Sequence, residues 1–201
     1  MDICIVKQCS LFLEFPKIPK LDLAFAISVG SVDAEENLQQ IKDTIKAVID
    51  RYGKSDIRYS LILFGSLPSR VVSFTESELL SSELLKKRVD SSSRPSGAAL
   101  DKALDDARML FENTARPDAK KVLVVIMDQK QSGDRADSKV KAKELKESSV
   151  KVVPVALGKD ASGKELTEIT SDKDYLVEMG EDENPEKAAE KIMIKVLEGN
   201  H

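Results

Sequence analysis

Long apolar runs without alternation punctuate this chain, and each gives way to a polar turn and then an amphipathic segment. Residues 21–27, LDLAFAI, form the first run and close on Ser28-Val29-Gly30-Ser31-Val32. Residues 122–127, VLVVIM, end on Asp128, and residues 151–157, KVVPVAL, end on Gly158. A strand covered on both faces of a parallel sheet reads in this way, because neither face meets water. The succession of run, loop and helical pattern is the signature of right-handed βαβ crossovers. The expected fold class is therefore α/β: a three-layer, doubly wound sheet, mostly parallel, with helices on both faces. In such sheets ligands sit at the carboxyl ends of the strands, so the turn after residue 27 is the first place to look for chemistry.

The helical segments follow from their stripes. Leu38, Ile41, Ile45, Val48, Ile49 and Tyr52 recur in steps of three and four, and Gly53 supplies a left-handed stop. Asp33 with Glu36 three places later predicts an N-cap with a capping box. Residues 57–64 and 70–74 read as a strand pair, antiparallel across a turn at 66–69, which provides one antiparallel edge strand. A short helix is expected near 76–87, followed by the loop DSSSRPSG. The next helix carries Leu100, Ala103, Leu104, Ala107, Leu110 and Phe111 on one face. Helix 136–147 is expected to pack through Ala136 and Val140, with Leu145 as a further candidate. The last helix starts with Asn184 as cap and Pro185 at its first position, and buries Ala188, Ala189, Ile192 and Val196.

With those pieces in place the chain resembles a family. LDLAFAISVGSV, ENLQQIKDTIKAVIDRY, IRYSLILFG, RPSGAALDKAL, KKVLVVIMDQKQSGD and VKVVPVALGKDASGKELTEITSDKDYLVEM have the order and spacing of a von Willebrand factor A domain. The resemblance covers about residues 21–198, and it is nearest to the extracellular-matrix members of matrilin and collagen VI type. It implies a Rossmann-like fold, a role in adhesion or protein binding, and a metal-ion-dependent adhesion site at the top of the sheet. In the family that site draws oxygens from an Asp-x-Ser-x-Ser loop, a Thr before a later Gly, and an Asp after a buried strand. Here the first loop becomes Ser28-x-Gly30-x-Val32, the Thr position falls on Arg94, and only Asp128 matches, with Gln129 where Gly is usual. Magnesium requires near-octahedral oxygens and gives up water reluctantly, so this remnant is not expected to hold it. Ser28, Gly30, Ser31, Val32, Arg94 and Asp128 remain as a candidate binding rim, with no metal or other cofactor expected. Arg94 is expected to act as a built-in counter-ion to Asp128. A shifted site on Ser31 and Asp33 is the weaker alternative, since Asp33 is better used as a cap.

Composition narrows the reading further. The chain has 201 residues, is 41% apolar and 33% charged, and carries a formal net charge of −4. One core is the natural count: residues 1–20 form a leader or arm and residues 21–198 the domain. The acidic balance does not recommend nucleic acid, and no apolar run approaches a bilayer's thickness. The leader has no basic region ahead of a continuous apolar one and reads poorly as a signal peptide. That leaves a cytosolic chain or a domain cut from a larger secreted protein, and the resemblance favours the second. Cys4 and Cys9 are the two cysteines; they allow a small disulfide loop, pairing with parts of a larger protein, or two free thiols. The segment SLFLEF is a candidate edge strand.

Catalytic devices are hard to assemble. The single histidine is His201, the last residue, so no Ser-His-Asp or Cys-His arrangement can form in a core. Neither glycine-rich phosphate motif occurs. Gly158-Lys159-Asp160 and Gly163-Lys164 read as surface turns, Asp101, Asp105 and Asp106 as a solvated helix face, and Glu181-Asp182-Glu183 as an acidic lead into the last helix. The function expected is a non-catalytic interaction or adhesion domain of an extracellular, matrix-type protein, binding a matrix or cell-surface protein without a standard metal site. The alternatives are a metal-dependent adhesion domain with an unusual site, and a structural domain serving self-assembly.

Overall fold

The structure is a computed structural model that describes residues 18–198 other than 133, 160 and 162. Cys4, Cys9, the SLFLEF segment, Asp160 and His201 lie outside the described residues. Six strands form one sheet: β1 (Leu21–Ser28), β2 (Ile57–Phe64), β3 (Pro68–Val72), β4 (Lys120–Met127), β5 (Val150–Leu157) and β6 (Val177–Met179), in the order β3-β2-β1-β4-β5-β6. All neighbours run parallel except β3 against β2, which makes β3 the antiparallel edge.

The apolar runs are central strands because helices cover both faces. Helices α1 (Ala34–Tyr52), α3 (Ser82–Asp90) and α7 (Pro185–Leu197) contribute to one core, with Leu21, Leu23, Phe25 and Ile27 of β1 pointing into it. Helices α2 (Phe74–Leu79), α4 (Leu100–Thr114) and α5 (Arg135–Glu147) contribute to the other, where β1 presents only Ala24 and Ala26. Those alanines face a helix that itself buries Ala103 and Ala107, so α4 can lie close to the sheet centre. Each fully buried side chain such as Phe25 or Ile27 contributes about 1.5–3 kcal/mol. The one-turn helix α6 (Gly163–Leu166) completes the set, so Gly163-Lys164 opens a helical turn rather than a plain surface turn. No described helix is long and apolar enough to cross a membrane.

The base of the sheet is held by a buried ionic cluster that the sequence reading did not single out. Asp22 is fully buried and accepts from Arg58 Nε and Nη2 at 2.9 and 2.7 Å, and from Arg116 N and Nε at 2.6 and 2.9 Å. Four N–H donors around one carboxylate satisfy its lone pairs, which is what makes burial of the charge tolerable.

Several local expectations are corrected. Asp33 stands before α1, but its backbone (φ −97°, ψ 31°) is not the extended conformation that aims a cap side chain inward, and no side-chain cap forms. The capping box lies at Ser73 and Glu76 instead, opening α2. The helix expected near 76–87 is two helices, because Leu80 is extended (ψ 144°) and Ser81 caps α3. The edge strand is Pro68–Val72 rather than 70–74, since Ser73 has left the sheet to serve as that cap. Helix α5 turns Ser138, Ala142 and Leu145 inward, while Ala136 is exposed and Val140 is 53% exposed. Two of the three aspartates of α4 are cross-linked rather than merely solvated: Asp106 meets Arg70 at 2.6 Å and Asp105 meets Arg108 and Lys141 at 3.0 and 3.2 Å, while Asp101 Oδ1 is buried without a hydrogen bond among the described residues.

Candidate functional site

Strand order reverses between β1 and β4: the chain leaves β1 toward β2 on one side and leaves β4 toward β5 on the other. Such a divergence opens a crevice at the carboxyl ends of the strands. Three loops meet there, at 29–33, 91–99 and 128–134.

The second loop is pinned at both ends. Lys42 of α1 reaches up to donate to the carbonyls of Asp90 and Ser92 at 3.0 and 2.7 Å. Farther along, Ser66 N donates to Ser96 O at 2.6 Å and Ala99 N to Gly65 O at 2.8 Å. This approach needs two glycines: a Cβ on Gly65 would lie 2.0 Å from Ser96 O, and Gly97 has φ +96°. The third loop is tied to the second by Ser132 N to Ala98 O and Ala98 N to Ser132 Oγ, both 3.0 Å.

At the floor lies Asp128, 1% exposed. Its Oδ1 accepts from Gly30 N at 2.8 Å, and its Oδ2 accepts from Ser31 Oγ at 2.7 Å and Asn37 Nδ2 at 3.1 Å. Asn37 Nδ2 also donates to Ser31 Oγ at 3.0 Å. The first-loop and third-loop candidates are thus brought together, but by neutral donors from the chain itself. Arg94 is not among them. Its Nη1 stands 3.9 Å from Glu35 Oε1, and its side chain is 42% exposed. The expected Arg94–Asp128 pair is not formed, because the carboxylate faces down into the first-loop donors while Arg94 sits at the mouth.

The remaining candidates divide between floor and rim. Ser28 is buried at the end of β1 and its hydroxyl donates to Gly97 O at 3.0 Å. Val32 is 95% exposed at the tip of the first loop. Gln129 folds over Gly30, with Nε2 3.2 Å from Gly97 O and 3.5 Å from Ser28 Oγ; a Cβ on Gly30 would fall 2.2 Å from that amide nitrogen. Gly30 and Gln129 are therefore a matched pair. Above them is a cavity of about 280 Å3 lined by Gly30, Arg94, Pro95, Ser96, Gly97 and Gln129, with no carboxylate in its walls.

Two participants escaped the sequence reading. Asn37 was detectable in principle, as a polar residue one helical turn before Ile41 on the inward stripe of α1. Gln129 stood out only as a departure, and its role depends on a glycine 99 positions away in sequence that adjacency in the sheet brings beneath it.

The donor set does not fit a divalent cation. Ser28 and Ser31 offer only neutral hydroxyls, Gly30 and Val32 carry no side-chain oxygen, Arg94 is a cation, and the Asp128 carboxylate already accepts three hydrogen bonds. Among the described residues no group of three or more His, Cys, Asp or Glu side chains is placed to hold a metal ion.

A doubly wound α/β domain with its loops gathered at the strand-order reversal is the architecture that comparison with known proteins also finds. Residues 22–190 match the von Willebrand factor type A domain, and the chain belongs to that family. Domains of this family are interaction and adhesion modules. Among solved structures the chain is similar to proximal thread matrix protein 1 from the mussel byssus, at 20% identity and TM-score 0.75, over 90% of this chain and 47% of that one. A further structure of that protein has a zinc-occupied metal-ion-dependent adhesion site. The manganese-loaded TRAP protein of Plasmodium vivax is similar at 14% identity and TM-score 0.72, over 89% of this chain and 74% of that one. A von Willebrand factor type A protein from Catenulispora acidiphila follows at 18% identity and TM-score 0.70, over 89% and 42%. The chain spans under half the length of the byssus protein.

Proposed function

We propose that this chain is a non-catalytic protein-interaction domain of a larger extracellular, matrix-type protein, and that it binds a protein partner through the loop rim without a metal ion. The observation that supports this reading is the engagement of Asp128 by Gly30, Ser31 and Asn37, with Gln129 lying over Gly30. Ser28, Gly30, Ser31 and Asp128 form a closed floor that sets the shape of the rim. Above it Val32 offers an exposed apolar tip and Arg94 offers a guanidinium with one distant ionic partner. Arginine is among the residue types enriched at protein interfaces, and an exposed apolar side chain beside it adds area to bury.

The test uses peptides selected from a displayed random library against the full chain in magnesium. Affinity measured by biolayer interferometry should be equal in EDTA and in magnesium, and should fall about tenfold or more in Val32→Asp and in Arg94→Glu. Binding that needs magnesium would replace this reading with a metal-dependent adhesion site. Binding that ignores both substitutions would move the interface off the rim.

A further inference from the structure

The opposite end of the sheet, where β4 and β5 begin, gathers lysines in a way the rest of the surface does not. A cavity of about 140 Å3 is lined by Lys120, Lys121, Ser149, Lys151 and Glu198 among others. A second, of about 310 Å3, shares Ser149 and Lys151 and adds Lys146, Ser171 and Asp172. Lys120 and Lys151 lie on the sheet face that carries Val122, while Lys121, opposite Val150, lies on the other face.

None of these four lysines has a carboxylate partner among the described residues. Lys151, only 7% exposed, donates to Glu198 O at 2.9 Å and lies 3.9 Å from the Tyr175 ring centroid. Lys146 donates to Thr170 O at 3.0 Å. The two acids in the walls are engaged elsewhere: Glu198 accepts from Lys195 at 3.0 and 3.2 Å, and Asp172 Oδ1 accepts from Asp174 N at 3.1 Å. On helix α5 the pattern is the reverse, with Lys139, Lys141 and Lys143 each paired to a carboxylate. In a chain of net charge −4 this is a local inversion of sign. Burial pushes the Lys151 ammonium down to about 8; Glu198 and Asp172 offset this in part, while Lys120 and Lys195 push the same way as burial. An anion entering the groove would relieve both effects.

We propose that this groove binds a sulfated polysaccharide, one sulfate group in each of the two adjoining compartments. Lysine ammoniums act as point charges without a fixed fork, which suits sulfate esters presented at varied angles. The hydroxyls of Ser149 and Ser171 line the groove beside them. Recognition of single-stranded nucleic acid would need open aromatic faces for stacking, and the Tyr175 ring is already covered by Lys151. This site is independent of the loop rim and stands or falls separately.

The experiment is a titration of the full 15N-labelled chain with a heparin-derived tetrasaccharide at about 0.15 M salt, a near-physiological ionic strength. Saturable shifts are expected at Lys120, Lys121, Ser149 and Lys151. The doubly substituted chain Lys120→Gln, Lys146→Gln, one lysine from each compartment, should bind about tenfold or more weakly and lose about 1.4 from the slope of log Kd against log salt. Lys102→Gln, beside Ser66 at the opposite end of the sheet, should leave Kd within about twofold, as an exposed charge beyond a Debye length does. Sodium sulfate should give the same shifts only at far higher concentration. The proposal is overturned by shifts that do not saturate or that map elsewhere, or by a double variant that binds normally. It is equally overturned if free sulfate binds as tightly as the tetrasaccharide, leaving an adventitious ion only, or if a single-stranded oligonucleotide of equal charge binds more tightly.

Discussion

Replacing Asp128 by Asn separates a hydrogen-bonded floor from a metal ligand. The amide is isosteric, so the change is confined to charge and donor pattern. If its oxygen stays toward Gly30 N, that bond survives without its charge assistance, a loss of about 1 kcal/mol. The new NH2 group then faces Asn37 Nδ2, now 3.1 Å from Oδ2, and the two donors oppose each other in a buried place. Such an unsatisfied contact costs about 1–3 kcal/mol. The Ser31 hydroxyl can turn to accept, and removing a buried charge returns part of the loss. The net expectation is about 2 kcal/mol of destabilisation. For a domain of this size that lowers the melting temperature by about 4–8 °C. Urea unfolding and calorimetric melting should show this shift equally in EDTA and in about 5 mM magnesium, a level that would populate a weak hard-cation site. A wild-type chain stabilised by magnesium, with the gain abolished in Asp128→Asn, would refute the reasoning.

Three further outcomes follow from other parts of the structure. Gly30→Ala should cost only about 0.5–1.5 kcal/mol, the contribution of the Gln129 Nε2–Gly97 O bond, because the new Cβ makes the flexible Gln129 amide swing aside; Gln129→Gly in the same chain should add little, and additive losses in the double-mutant cycle would deny the pairing. Asp22→Ala strips two arginines of their shared carboxylate and should destabilise by about 3–5 kcal/mol in urea, so a loss below about 1 kcal/mol would show the cluster to be expendable. For Lys151, lowered by burial from 10.5 to about 8, the unfolded chain holds a proton that the folded chain releases across that window. Wild-type stability relative to Lys151→Met should therefore be flat below about pH 8 and rise with pH above it; a difference that falls over this window would contradict the assigned cause.

Much of the fold was legible because burial on both faces leaves a direct trace. The runs at 21–27, 122–127 and 151–157 could be read as central strands without knowing their partners, and the stripes on α1, α4 and α7 named their core residues. Reading was poorer where two local signals competed. Asp33 had the composition of a cap but not the backbone for it, and Ser73 drew a capping box out of what looked like strand. Val140 fitted a helical stripe, yet α5 rotates to bury Ala142 and Leu145 against the sheet, an orientation that packing sets and periodicity alone leaves open.

By itself the chain order determined the family, the sheet, and the absence of a carboxylate at Ser28, Gly30, Val32 and Arg94, since each of these depends on residue identity at positions the alternation of strand and helix already orders. What surrounds Asp128 was decided only in three dimensions. Asp128 could be satisfied by Arg94 or by Gly30, Ser31 and Asn37, and the choice turns on which donors the β1–β4 register brings within about 3 Å. The lysines at the base are of the same kind: sequence counts charges, but only packing shows which of them have no carboxylate partner among the described residues.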